Sequence, residues 1–347
     1  MLINENSYKI WLGLKDMELK DLAIIDLHLH LDGALSPEII IERAMKENID
    51  LPTYNKDELR KYLEVSKHCE SLNEYLTKFD IPNLVLQTKE GIYECTLDLL
   101  HRLSLQGLKY VEIRMAPQLS TAKGLSQEEV VIELINSSQR AEILYGISSN
   151  IILCMMRGDT NRTKNLETID IAYKYLNKGV VALDLAGAEA LFPNELFKEE
   201  FNRIKELGIP LTIHAGEASG SESVRSAINF GAVRIGHGVH AIEDMELMCE
   251  IVGKQIPLEI CPTSNLDTKA VSSLDEIPVK KFLELGVKVT INTDDPTVSN
   301  TTLLDEYKLL ENIGLSKEEL KTIALNSIEA AFINNEKKEE LKSFLLK

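Results

Sequence analysis

Eight short apolar runs rich in β-branched residues recur along the chain with helix-forming stretches between them: AIIDLHL from Ala23, YVEIRM from Tyr110, NIILCMM from Asn150, VVALDLA from Val180, PLTIHA from Pro210, VRIGH from Val233, IPLEICP from Ile256 and VKVTINT from Val287. A strand that is apolar along its whole length is buried on both faces, and strands separated by helices pair in parallel because a parallel neighbour needs a crossover. Eight such units predict an α/β fold of the closed (β/α)8 TIM-barrel type with additional helices. The 347 residues exceed the ~250 typical of that fold. No Gly-, Ser- or Pro-rich stretch divides them, so residues 1–347 read as one barrel domain whose excess is an insertion over about 42–106. A doubly wound open sheet is the rival, but the Gly-rich phosphate turn that would favour it does not follow the first run. Ser36-Pro37-Glu38, Ser126 with Glu129 and Ser316 with Glu319 mark helix starts.

Charge narrows the partners. Lys and Arg total 38 against 55 Asp and Glu, a formal charge of −17 that opposes attraction to nucleic acid or an anionic membrane. The five cysteines form no C-x-x-C pair, which fits a reducing, cytoplasmic setting. The first twenty residues lack a basic start before an apolar stretch, and no run reaches membrane-spanning length, so a soluble, unprocessed chain is expected. Oligomeric state is not legible.

In IIDLHLHLDG, strand alternation puts Asp26, His28, His30 and Asp32 on one face, and two imidazoles so spaced suit one borderline cation such as Zn²⁺. A hydrogen-bonded pair of core histidines is the plainer alternative, although a row of four polar residues is costly to bury without partners. The fifth run ends at His214, with Glu217 in the following Gly-containing turn, and the sixth ends in RIGHGVH with His237 between two glycines. Both positions fall on the barrel edge where active sites form. Taken alone, Glu217 could simply face a helix N-terminus, His237 could be a turn residue, and His240 reads as a surface residue. The eighth run ends in NTDDP, where Asp294 and Asp295 project to opposite sides and can serve a cation and a substrate group, unless they only make an Asx turn. Taken together, histidines at the ends of three strands plus a carboxylate describe a mononuclear site that can bind and activate water, which implies a hydrolytic reaction.

HLHLDGA, LDLAGAE, TIHAGE, RIGHGVH, LEICPTSN and NTDDP, in this order from about Asp26 to Tyr307, resemble the adenosine/AMP deaminase family of the amidohydrolase superfamily, and YVEIRMAPQLS is similar to family sequence as well. The resemblance implies one Zn²⁺ per chain held by His28, His30, His214 and Asp294. It implies Glu217 as proton shuttle to purine N1, His237 beside the metal-bound water, Asp295 on the N7 side and the Gly187 backbone facing N3. Related two-metal barrels bridge their ions with a carboxylated Lys after the fourth strand, and ALDLAGAE holds none. The resemblance also assigns His30 and Asp32 to the substrate-binding set, with Asp32 near the ribose 5′-hydroxyl. Relatives that take free adenine tend to carry Glu there, so a nucleoside is expected: adenosine and 2′-deoxyadenosine, deaminated to inosine and 2′-deoxyinosine in purine salvage. SLNEYLTKFD from Ser71 resembles the family's lid helix, with Leu72, Tyr75 and Leu76 over the base. Arg114 and Arg157 close their strands and either support the site or pair with acids. Free adenine, N6-methyl-AMP and aminodeoxyfutalosine are the alternative substrates. A non-catalytic purine-binding protein on the same scaffold is the alternative of a different class.

Overall fold

The computed structural model describes residues 18–66, 69 and 71–345. Every apolar run is a strand: β1 (Ile25–His30), β2 (Tyr110–Met115), β3 (Ser148–Met156), β4 (Val180–Ala186), β5 (Thr212–Ala215), β6 (Arg234–His237), β7 (Leu258–Ile260) and β8 (Val289–Ile291). They pair in parallel as β1-β2-β3-β4 and β5-β6-β7-β8. The two halves meet at two seams, each an isolated bridge: Leu183 with Leu211, and Leu29 with Asp294. The Leu183 N–H donates to the Pro210 carbonyl at 3.0 Å. At the other seam the His30 N–H donates to the Asp294 carbonyl and the Asp294 N–H to the His28 carbonyl, both at 2.8 Å. The result is an eight-stranded α/β barrel of the (β/α)8 type whose joins are narrower than its ladders, because β5 to β8 are only three or four residues long.

Asp26 reinforces the second seam. It accepts from the Thr293 hydroxyl at 2.7 Å and the Thr293 N–H at 3.2 Å, which accounts for a polar residue at the base of β1. The expected helix starts are present: Ser36 accepts from Ile39 N–H, and Ser126–Glu129 and Ser316–Glu319 form reciprocal capping boxes. Between β1 and β2 lie the helices Pro37–Glu47, Lys56–Leu63, Leu72–Tyr75, Asp80–Val85 and Lys89–Leu105, which make up most of the added length. Among the described residues no helix is long and apolar enough to cross a membrane.

Barrel interiors are ordinarily filled by branched apolar side chains. Here the middle of the lumen is ionic. Arg234 on β6 donates to Glu259 on β7 at 2.6 Å and pairs with Glu112 on β2 at 2.7 Å. Arg114 on β2 pairs with Asp184 on β4 at 2.7 Å and with Glu259. All five are buried. At the amino-terminal end of the barrel, Arg234 also donates to the Ala330 carbonyl at 3.0 Å, and its guanidinium carbon lies 4.0 Å from the centre of the Phe332 ring. Breaking one member of such a network strands buried charge, which costs more than the intact network contributes. Arg234→Met is therefore expected to lower unfolding free energy by about 3–5 kcal/mol, read as a shift in urea midpoint; a loss below about 1 kcal/mol would show that Glu112 and Glu259 do not depend on it.

Candidate active site

His28 and His30 on β1, His214 on β5 and Asp294 after β8 converge at the carboxyl-terminal rim. The Nε2 atoms of His28 and His30 are 3.1 and 3.2 Å from that of His214, and Asp294 Oδ1 is 3.2 Å from His28 Nε2 and 3.5 Å from His30 Nε2. Two of these rings have their other nitrogen committed. His28 Nδ1 lies 2.9 Å from the Glu259 carboxylate, and His214 Nδ1 lies 2.9 Å from that of Asp184. A ring that donates its Nδ1–H to a carboxylate presents a lone pair at Nε2. Two lone pairs and a carboxylate oxygen thus face one another with no proton between them, which is repulsive unless a cation sits in their midst. Ligands ~2.0–2.1 Å from a common tetrahedral centre stand about 3.3–3.4 Å apart, and the four observed separations bracket that value. The residues fit a metal cation of the kind that takes nitrogen and oxygen donors.

The backbone is bent to aim these groups. Asp294 has φ +61° and His237 has φ +61°, a left-handed conformation that costs a non-glycine residue of order 1–3 kcal/mol. Asp294 is held there by its two backbone bonds to β1, and its Oδ2 accepts from Ser264 at 2.6 Å. His237 sits between Gly236 and Gly238. A Cβ on Gly236 would come 3.1 Å from the His28 ring and 3.2 Å from the His214 Cα, so any larger residue would press on the ligands.

His237 faces the cluster with Nε2, 3.9 Å from Asp294 Oδ2 and 3.6 Å from Glu217 Oε2. Its Nδ1 is 2.9 Å from Asn265 Nδ2. The Cys261 N–H donates to Asn265 Oδ1, which orients that amide, so Asn265 donates to the ring and the imidazole proton lies on Nε2. Burial holds this ring well below the usual histidine range, so it is a neutral donor. Glu217 is pushed up to about 8, by burial first and then by the charges of Asp294 and Glu189. Thr268 donates to its Oε1 at 3.0 Å, leaving Oε2 to carry the carboxyl proton into the cavity. Asp295 is also raised, well above its ordinary range, by burial and by the charges of Asp294 and Asp32. Its Oδ1 has no hydrogen-bond partner among the described residues. A Cβ at Gly33 would fall 1.8 Å from that atom, so the turn after β1 is pressed against it.

These groups share one cavity of about 290 Å³ whose lining includes His30, Asp32, Gly187, His214, Glu217, His237, Asp294 and Asp295. Gly187 has φ +103°. Leu72, Tyr75 and Leu76 line it from the expected lid, where a helix (Leu72–Tyr75) runs into a 3-10 turn (Leu76–Phe79), and the Tyr75 hydroxyl lies 3.0 Å from Ser299 Oγ. Asp32 lies beyond β1, in a 3-10 turn (Asp32–Ala34) and not on the strand face. Its carboxyl is raised to about 6 by burial and accepts from Asn83 at 3.4 Å. Asp26 and His240 stay out of the cavity; His240 pairs with Glu243 at 2.7 Å. Arg114 joins the two acids behind the histidines. Arg157 instead ties backbone together, donating to the Phe192 carbonyl at 2.6 Å and the His214 carbonyl at 2.7 Å.

Sequence reasoning missed Asp184, Glu259, Asn265 and Asn83. A signal existed for the first two: each acid stands alone inside a run otherwise fit for burial on both faces, VVALDLA and IPLEICP, and a buried carboxylate must have partners. The others approach only through tertiary folding.

The adenosine deaminase family matches residues 24–347. An adenosine deaminase of Haemophilus ducreyi is 49% identical over 323 residues, covering 92% of this chain and 94% of its own length. One of Clostridium acetobutylicum is 44% identical over 325 residues, covering 93% and 96%. Among solved structures, an adenine deaminase of Arthrobacter aurescens superposes with a TM-score of 0.84 at 30% identity, covering 93% of this chain and 97% of its own. An N6-mAMP deaminase of arabidopsis gives 0.82 at 25%, covering 94% and 98%. With its strand-end histidines, its paired aspartates and this match over nearly its whole described length, the chain belongs to the adenosine deaminase family.

Proposed function

We propose that this family member, a hydrolase of C–N bonds, converts adenosine and 2′-deoxyadenosine to inosine and 2′-deoxyinosine with release of ammonia, using one Zn²⁺ held by His28, His30, His214 and Asp294. The observation that carries the reading is the opposition, across one cavity, of an all-acceptor cluster and two carboxyls kept protonated by burial. Three imidazoles and a carboxylate are a donor set suited to Zn²⁺, which when bound supplies an activated water as nucleophile.

The chain's own groups do the rest. His237, a neutral Nε2–H donor, orients an oxygen at the cluster. Glu217, protonated at neutral pH, gives its proton to purine N1 as negative charge develops there and regains one from the attacking water, so that N1–H and ammonia together account for both water protons. Asp295, also protonated, donates toward N7, which gives a partner to a carboxyl whose Oδ1 has none among the described residues. The Gly187 backbone faces N3, and Asp32 takes the 5′-hydroxyl of the ribose.

A nucleoside is favoured over a nucleotide because, among the described residues, no Lys or Arg lines the cavity, while Asp32 and Asp80 do, and a phosphate needs cationic donors. Asp32 in place of Glu favours the nucleoside over free adenine, and the relatives at 44–49% identity are adenosine deaminases. The test is the ultraviolet change with adenosine, run beside adenine, adenosine monophosphate and aminodeoxyfutalosine with chelator controls. Adenosine is expected to turn over fastest and to stop on metal removal. Turnover of another 6-aminopurine alone would overturn the substrate, and silence on all four would leave a purine-binding protein.

Glu217→Gln should bind nucleoside and metal normally yet lose about 10²–10⁴ in kcat, since an amide cannot pass the proton. Because the donor form is lost as pH rises through a raised pKa, kcat/KM of the unaltered enzyme should fall at alkaline pH. Near-normal turnover by the variant would remove Glu217 from the chemistry. Asp184→Asn withdraws the charge that orients His214 and should weaken metal binding about 10–100-fold, measured by chelator competition; unchanged affinity would show that His214 needs no such support.

A further inference from the structure

Glu189 lies in the turn after β4, 2% exposed, and its carboxylate is saturated by amides. Oε1 accepts from the Gly216 N–H at 2.7 Å and the Ser223 hydroxyl at 2.5 Å. Oε2 accepts from the N–H groups of Glu217 at 3.1 Å, Ala218 at 2.7 Å and Ser219 at 3.2 Å. Four consecutive backbone N–H groups turned to one point form a nest, a concavity that ordinarily captures an anion from solution. Here the anion is built into the chain and comes from the neighbouring barrel unit.

The nest is the turn that carries Glu217, and one of its four donors is Glu217's own N–H. On its other side the turn is held by the Gly238 N–H to the Ala215 carbonyl at 3.0 Å and the His240 N–H to the Gly216 carbonyl at 3.2 Å. Gly216 has φ +71°, and a Cβ there would come 2.4 Å from Val224, so the turn is tight at its start. Behind it lies a second cavity of about 290 Å³, lined by Ser71, Glu189, Glu217, His240 and Thr268 among others. With Glu189 removed, four N–H groups would lose their acceptor and the turn would have open space to move into.

We propose that Glu189 is a positioning residue for the reaction: it serves as the internal anion of the 216–219 nest and thereby holds the Glu217 carboxyl in line with the substrate cavity. The inference rests on the proton-donor reading of Glu217. It differs from a purely structural role because Glu189 touches neither the cavity of the substrate nor the metal cluster, so its loss should leave ground-state binding intact and impair only the step that needs Glu217 in place.

The test compares zinc-loaded wild type, Glu189→Gln, Glu189→Asp and Glu217→Gln on adenosine. Glu189→Gln, which replaces two acceptor oxygens by one and adds a competing donor, is expected to keep its zinc and a KM within about threefold while kcat falls by about 100-fold, as for a misplaced reacting group. Glu189→Asp, with the charge but a shorter reach, should fall between. In the unaltered protein the amides of 216–219 should exchange with deuterium as slowly as those of β5, and Glu189→Gln should release them selectively. A kcat within threefold of wild type in Glu189→Gln would overturn the inference, as would loop-like exchange of those amides in the wild type. The exchange measurement decides if the variants do not fold. An inactive Glu217→Gln beside a fully active Glu189→Gln would remove this inference alone, whereas an active Glu217→Gln would remove the proton-donor reading and the inference with it.

Discussion

The Glu259 carboxylate stands where the ionic interior of the barrel meets the rim. One oxygen lies 2.9 Å from His28 Nδ1 and also accepts from Arg114. The other accepts from Arg234 at 2.6 Å and from the Thr212 hydroxyl at 3.2 Å. An unpaired carboxylate in that position would be prohibitively expensive, and two unpaired guanidinium groups more so. Each group is paired with one of opposite sign along the row from Glu112 through Arg234, Glu259 and Arg114 to Asp184, all five of them buried. Two of its carboxylates, Glu259 and Asp184, fix the orientation of the imidazoles they meet, His28 and His214. The lumen thereby couples folding to site geometry: a barrel that closes incorrectly cannot neutralise this row, and one that closes correctly has already aimed His28 and His214.

Above that layer the energetics run the other way. His237 and Asp294 occupy left-handed backbone positions, and several buried carboxyls crowd one cavity. Both are unfavourable in isolation and persist because the surrounding structure determines them: Asp294 is clipped to β1 by both of its backbone groups, and His237 is paired with Ala215 on β5 and held by Asn265. Stability from the apolar shell offsets strain at the rim. Such a division is expected where a site must hold groups in place before its ligand arrives.

How legible this was differs by layer. All eight strands could be read because residues buried on both faces leave unbroken apolar runs, and the helix starts at Ser126 and Ser316 could be read because capping is local. The residues of the proposed ligand set fall at strand ends, where the barrel edge itself nominates them. Asp32 was misplaced by extending β1 two residues past His30, into what is a 3-10 turn; alternation alone does not say where a strand stops. Asn265 could not be read at all. Its role is set by one amide orientation and one ring, 28 residues apart in the chain and 2.9 Å apart in space. Glu189 was visible within LDLAGAE but carried no sign of its partners, since four of its five donors are backbone groups with no side-chain signature.

Two features of the cavity bear on why a neutral substrate fits a chain of formal charge −17. Asp32, Glu217, Asp294 and Asp295 all line it and, among the described residues, no Lys or Arg does, so a divalent cation at the histidine cluster would be the main positive charge there. Burial raises Asp32, Glu217 and Asp295, which removes most of the repulsion these acids would otherwise exert on one another and turns two of them into hydrogen-bond donors at neutral pH. A purine presents its acceptors at N1, N3 and N7, so what it needs from a protein is donors. In the proposed arrangement, carboxyls that keep their protons and a backbone N–H would supply them without a permanent cation, and acids in the same cavity would disfavour the phosphate that distinguishes a nucleotide from a nucleoside.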